Sequence, residues 1–178
     1  MADPTAVSVT ADPQRLRAVR RLSLPAAPDD AFDRFAALVE HLLGAPVALV
    51  AVVDAEHQIL AGQVGLPEPW ATSRTMPLTA LPTRLVVESG RPVAVTETGG
   101  ESPGIVAFAG VPLTDADGRT LGVLCAADRE PRRWTGNELA LLTDLAAACS
   151  SELRLRIARR SPTRHGSGAG RGRPSGDA

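Results

Sequence analysis

Residues 105–127 carry the pattern that most restricts the fold. Two apolar runs, Ile105 to Leu113 and Leu121 to Ala127, lie on either side of Thr114 to Thr120, with Asp117-Gly118 at the centre of that connection. This spacing predicts an antiparallel hairpin, because a tight primed turn needs positive φ and glycine supplies it without steric cost. A second run, Pro46 to Asp54 (PVALVAVVD), is apolar on both alternating faces. Such a run predicts a central strand covered on both sides rather than one half exposed to water.

Helical signals surround these strands. Asp12 as N-cap and Pro13 as first helical residue precede Leu16, Val19 and Leu22 or Ser23, a narrow stripe flanked by Arg15, Arg17, Arg20 and Arg21. Asp29 or Asp30 caps a second helix, with Phe32, Phe35, Ala36, Val39, Leu42 and Leu43 at helical spacing and Gly44 at its end. Leu78 to Ser89 reads as a third helix whose start Pro82 restricts, and Gly90 and Pro92 stop it. Thr135 and Glu138 form a capping box for a closing helix reaching Arg160, with Leu139, Leu142, Ala146, Cys149, Leu153 and Ile157 on one face. A second stripe on that helix, Leu141, Leu145, Ala148, Glu152 and Leu155, is free to meet Leu16, Val19 and Leu22, in the same chain or across a twofold axis. Between the helices, Gln58 to Val64 reads as a strand, Gly65 to Pro77 as a loop carrying Trp70, and Pro92 to Thr96 as a short strand. The order is that of an α+β domain: a central antiparallel sheet of about five to six strands, with N-terminal helices and a long C-terminal helix.

At 178 residues, with 44% hydrophobic and 22% charged residues, the chain has room for one domain with one core. The expected division is a loose N-terminus over 1–11, the folded domain over 12–160, and a disordered Arg-, Gly- and Ser-rich tail over 161–178, which lacks apolar periodicity. Residues 154–178 hold seven Arg and one Asp, opposite in sign to the acidic body. The tail lacks stacking aromatics, so a solubilising or acidic-protein-binding role is favoured over nucleic acid. No secretory signal or membrane-length apolar run is visible, and both cysteines, Cys125 and Cys149, fall at apolar positions; a reducing cytoplasm is the expected location.

Three stretches resemble bacterial GAF domains: Leu43 to Asp54 followed by Val64 to Pro67; Val86 to Val93; and Ala109-Gly110-Val111-Pro112-Leu113, Gly118, Leu121 to Cys125 and Asp128 to Pro131. The resemblance covers about residues 14–158 and implies a sensor fold whose ligand lies between the sheet and the middle loop and helix. Trp70, Arg74, Met76, Arg84 and Phe108 are the residues it places there, Trp70 to stack on a planar ligand and Arg74 or Arg84 to pair with an acidic group. Gly110 and Gly122 inside the strands mark either sheet curvature or the floor of that pocket.

Departures from the family pattern narrow the chemistry. Many similar domains carry a Ser-Phe-Cys-Gln-His type segment where this chain has Leu81-Pro82-Thr83-Arg84-Leu85, so Thr83 replaces the thiol that would attach a bilin or do redox chemistry. A cyclic-nucleotide signature is absent, with no Lys to supply it. Metal, haem and calcium patterns are likewise missing around His41, His57, His165 and Asp115 to Gly118, and no nucleophile motif occurs. The reading is therefore a non-catalytic regulatory module without a cofactor. It binds a small molecule or a partner protein that carries the output, and a homodimer is expected; the alternative is a dimerisation or docking module whose pocket has degenerated. Deleting residues 161–178 is expected to leave the melting temperature within about 3 °C in a thermal melt, and a larger fall would show that the tail packs on the body.

Overall fold

The computed structural model describes residues 8–98 and 104–160. Asp12 accepts hydrogen bonds from the Gln14 and Arg15 amides and starts α1 (Pro13–Leu22). Asp29 does the same for α2 (Asp30–Leu43), which Gly44 ends. There follow β1 (Val47–Val53), β2 (His57–Val64), α3 (Trp70–Ser73), β3 (Thr75–Pro77), α4 (Thr83–Ser89), β4 (Val93–Val95), β5 (Ala107–Thr114), β6 (Thr120–Asp128) and α5 (Gly136–Arg160). The strands form one sheet in the order β3-β2-β1-β6-β5-β4, with every neighbouring pair antiparallel.

Strand β1 shows why the sheet is covered twice. Ala48, Val50 and Val52 join a core with α1, α2 and α5, whereas Val47, Leu49, Ala51 and Val53 join a second core under α3 and α4. All seven residues are buried, as a run apolar on both faces requires. The closing helix is 25 residues long, and Leu142, Ala146, Cys149 and Leu153 press onto the sheet. Its capping box forms as its sequence predicts: the Thr135 amide donates to Glu138 at 2.7 Å, and the Glu138 amide donates to Thr135 Oγ1 at 3.2 Å.

Three expectations about the loops and the N-terminus need correction. The β5–β6 connection is not a two-residue primed turn on Asp117-Gly118. The Gly118 amide donates to the Asp115 carbonyl at 3.2 Å and only Gly118 has positive φ there, so the turn spans Asp115 to Gly118, with glycine closing it. The Gly65–Pro77 loop contains α3 and the edge strand β3, too short to show periodicity and ending in a proline, which an edge tolerates. The helix α4 starts directly after Pro82, where the proline restricts it, and Leu78 to Ala80 forms a separate 3₁₀ turn. The N-terminus is not loose throughout: Val9–Ala11 forms a 3₁₀ turn with Thr10 buried, while residues 1–7, 99–103 and the 161–178 tail lie outside the described residues.

The largest departure is in α1. Leu22 of the expected stripe is buried, but the other buried residues are Arg15 and Ala18; Leu16 and Val19 are half-buried and line a groove with Val52 and Ile59, Val19 also packing against the core. Arg15 sets this rotation. Its side chain is 1% exposed and donates to the carbonyls of Val53 (2.7 Å), Thr10 (2.7 Å), Asp54 (3.0 Å) and Val9 (3.1 Å). A guanidinium with five donors can satisfy that ring of acceptors, where an ammonium has three. Burial lowers the Arg15 pKa, against which Asp12 and Asp54 act.

Arginine also pins the helices to one another. Arg156 on α5 pairs with the α2 cap Asp29 and with Glu152 (2.7 Å) and lies 4.3 Å over the Phe32 ring. At the other end Arg132 donates to the Leu43 and Gly44 carbonyls and pairs with Asp128 and Glu138. Arg160 donates to the α1 carbonyls of Leu22 and Ser23. Hydrogen bonds from Arg156 hold the Asp29 carboxyl below its usual pKa, against an opposing burial effect. Replacing Arg15 with Ala strands several buried carbonyls and is expected to cost about 3 kcal/mol or more in urea unfolding. Arg15→Lys should recover only part of that loss, and an Arg15→Ala variant within about 0.5 kcal/mol of wild type would contradict the role given to the guanidinium.

Candidate functional site

The five residues singled out in the sequence do not share one cavity. Met76 and Phe108 are 0% exposed in the core under α4, and half-buried Trp70 packs against the same cluster. Arg84 is an exposed residue of α4, paired with Glu88 at 2.7 Å. Arg74 takes the opposite direction. It caps α3 with φ +52 and is 6% exposed, and its guanidinium makes a two-point pair with Asp33 of α2 at 2.8 and 3.2 Å. The pair ties the β3 edge to the helix on the other face of the sheet.

Gly110 explains how the α4 side is filled. A Cβ there would lie 2.6 Å from the Phe108 ring and 2.9 Å from Val123 Cγ1. The glycine therefore makes room for a ring rather than forming the floor of an open pocket. Two buried polar oxygens on this side, Gln58 Oε1 and Thr83 Oγ1, have no hydrogen-bond partner among the described residues. Thr83 occupies the first turn of α4 with 0% exposure. An unpartnered buried hydroxyl costs free energy, so Thr83 marks a polar atom that the packing on this side leaves unsatisfied.

A different kind of surface lies on the outside of α2 and α5. The clamp at Asp29–Arg156 joins the start of α2 to the end of α5, and the clamp through Arg132 joins the end of α2 to Glu138 near the start of α5. The helices consequently run antiparallel, with Leu38 and Leu42 alongside Leu145 and Leu141. Leu38 is 44% and Leu42 49% exposed, while Leu141 and Leu145 are partly buried against the core. Leu42 was expected in the core stripe; it belongs instead to a second stripe with Phe35 and Leu38, at a spacing visible in the sequence. Leu155, from the same expected stripe of α5, is 43% exposed.

Comparison with known proteins now decides the family. The GAF domain model matches residues 27–153, well over half of the chain. The chain belongs to the GAF domain family. The second GAF domain of DevS from Mycobacterium smegmatis is 24% identical, with a TM-score of 0.60, covering 74% of this chain and 96% of that one. The GAF domain of a phosphoenolpyruvate-protein phosphotransferase from Coxiella burnetii is 19% identical, with a TM-score of 0.63, covering 82% and 95%. A free methionine-R-sulfoxide reductase from Neisseria meningitidis, solved with its substrate, is 19% identical, with a TM-score of 0.56, covering 82% and 87%. At these identities the likeness shows the fold alone. No curated protein matches the sequence.

Within this GAF domain the two thiols are poorly placed for nucleophilic chemistry. Cys125 and Cys149 are both buried, and burial pushes each thiol up to about 12, assisted at Cys149 by the Glu152 charge. His41 and His57 are exposed, and His165 lies outside the described residues. If the α4 side is simply a packed core, Thr83→Val removes an orphan hydroxyl at nearly constant shape and is expected to stabilise the domain by about 1 kcal/mol in urea unfolding. A loss of similar size would instead report a bound molecule that hydrogen-bonds Thr83.

Proposed function

We propose that this GAF domain is a non-catalytic regulatory module that works by docking, pairing with a second copy of itself through the outer face of α2 and α5. The observation that carries the reading is the contrast between the two faces. On the α4 side Met76, Phe108, Leu49 and Leu60 are fully buried and Gly110 is occupied by the Phe108 ring. On the helical side Leu38 and Leu42 stand in water at 44% and 49% exposure beside Leu145. Two antiparallel helices meeting a copy of themselves across a twofold axis form a four-helix contact, in which each leucine stripe is its own complement. A buried pair of thiols supports the non-catalytic part of the reading, and a protein partner would carry the output.

A second reading keeps ligand sensing at the α4 side, with Trp70 stacking on the ligand and Arg84 at its entrance. The orphan oxygens of Gln58 and Thr83 favour it, since a small polar molecule could satisfy them. The two readings part on the Thr83→Val result.

Dimerisation is read directly by sedimentation. Wild type should sediment as a dimer at micromolar concentration. Leu38→Glu, at an exposed site that the fold tolerates, should weaken the dimer at least about tenfold, and Leu145→Glu should do the same if it remains folded. Wild type that stays monomeric up to about 100 μM would overturn the proposal.

A further inference from the structure

A groove of about 410 Å³ runs between α1, the C-terminal turns of α5 and the β5–β6 turn. It is separate from both the α4 side and the α2–α5 face. Its floor is apolar, made by Ala18, Ile157 and Ala158, and four arginines stand around it: Arg17 and Arg21 on α1, Arg154 on α5 and Arg119 at the end of the turn.

The acids of the groove are already engaged. Asp115 is 6% exposed, and its carboxylate accepts from the Asp117 and Arg119 amides at 2.9 Å each and from the Arg119 guanidinium at 3.2 Å. Asp117 also pairs with Arg119. Arg154 binds its own chain by one edge, donating from Nε to the Thr114 carbonyl at 3.1 Å and from Nη2 to Thr114 Oγ1 at 2.8 Å. Its Nη1 makes no hydrogen bond or ion pair among the described residues. Arg17 and Arg21 are exposed and have no hydrogen bond or ion pair among the described residues. They lie four residues apart on one helical face, where like charges repel. The lining therefore holds four arginines to two aspartates, and Arg17, Arg21 and Arg154 face the groove with no ion pair among the described residues.

We propose that this groove binds a small polyanion carrying phosphate or clustered carboxylate groups. The size of the groove suits a metabolite rather than a folded partner. Arg17 and Arg21 take the anionic end from α1 and Arg154 takes it from α5, so the bound molecule bridges the N-terminal helix to the closing helix. Phosphate and carboxylate present the same planar or tetrahedral oxygen acceptors to a guanidinium fork, and the structure favours both over neutral ligands.

The test uses the full chain with pyrophosphate and citrate as separate probes in thermal melts and isothermal titration, with ionic strength held constant by sodium chloride. At least one probe should raise the melting temperature saturably by several degrees. The double variant Arg17→Gln/Arg21→Gln should bind it at least about tenfold more weakly with an unchanged melting temperature in its absence. Arg20→Gln, on the same helix but lining the neighbouring groove, should bind as wild type does. Tighter binding of pyrophosphate assigns the site to phosphate, and tighter binding of citrate assigns it to carboxylates. Absence of any response to about 10 mM of either probe, or an equal response in the double variant, overturns the proposal. Neither outcome depends on the dimer, because the same melts can be run on Leu38→Glu.

Discussion

Donation from arginine to backbone carbonyls at the ends of helices and strands is the interaction on which the rest of this domain depends. Helices leave their last carbonyls without intrahelical donors, and strands that end at a turn do the same. Here those acceptors are met by Arg15 at the end of β1, by Arg132 at the end of α2 and by Arg160 at the end of α1. The chain has no lysine, so every one of its 19 basic side chains can do this with a planar fork. Burial decides which of these arginines matter. Arg15 is 1% exposed and fixes the rotation of α1, whereas the exposed Arg84–Glu88 pair is of the kind that contributes at most about 1 kcal/mol.

The two faces of the sheet then have different freedom. On the helical face α2 and α5 are held at both ends, by Asp29–Arg156 and by Arg132, and among the described residues their outer leucines, Leu38, Leu42 and Leu155, stay exposed. On the α4 face the cover is short, seven residues of helix preceded by a 3₁₀ turn, and the space is filled from the sheet itself by Phe108 and Met76. Filling by an aromatic ring at a glycine is specific: the ring excludes a Cβ from position 110 and anything larger from the same volume. The volume beside Gly110 is thus taken by the chain's own side chain.

Much of this architecture was legible in the sequence because its signals are strong and local. The two-sided apolar run of β1, the Asp12, Asp29 and Thr135 caps, and the period of α5 each set an element that the structure contains. The fold class followed from their order, and the resemblance to GAF domains from the Gly- and Pro-bearing stretches around β1, α4, β5 and β6. The site was less legible, since a side chain's partner depends on tertiary geometry. Arg74 lies two residues from Met76, yet its left-handed backbone turns it toward Asp33 rather than toward Trp70. Arg15 reads as a solvated charge until the carbonyls of β1 are placed around it, and no spacing rule announces a buried guanidinium. Leu42 shares one helical stripe with Val39 and Leu43 in the sequence, and only packing shows that Val39 and Leu43 fill the core and leave Leu42, with Leu38, outside.

The position of α5 explains how such a domain can connect distant surfaces. One rigid helix presses Leu142, Ala146, Cys149 and Leu153 on the sheet, holds α2 through Arg156 and holds α1 through Arg160. The last two contacts lie within its final two turns, next to Arg154 and the groove along α1. A helix shifts as a unit more readily than it bends, because bending breaks its own hydrogen bonds while sliding exchanges side-chain contacts at its ends. The arginines that hold α2 and α1 therefore sit on the same C-terminal turns as Arg154 of the groove. The sheet-side core of α5 is interlocked apolar packing, whereas at these turns the partners are arginines, carboxylates and carbonyls.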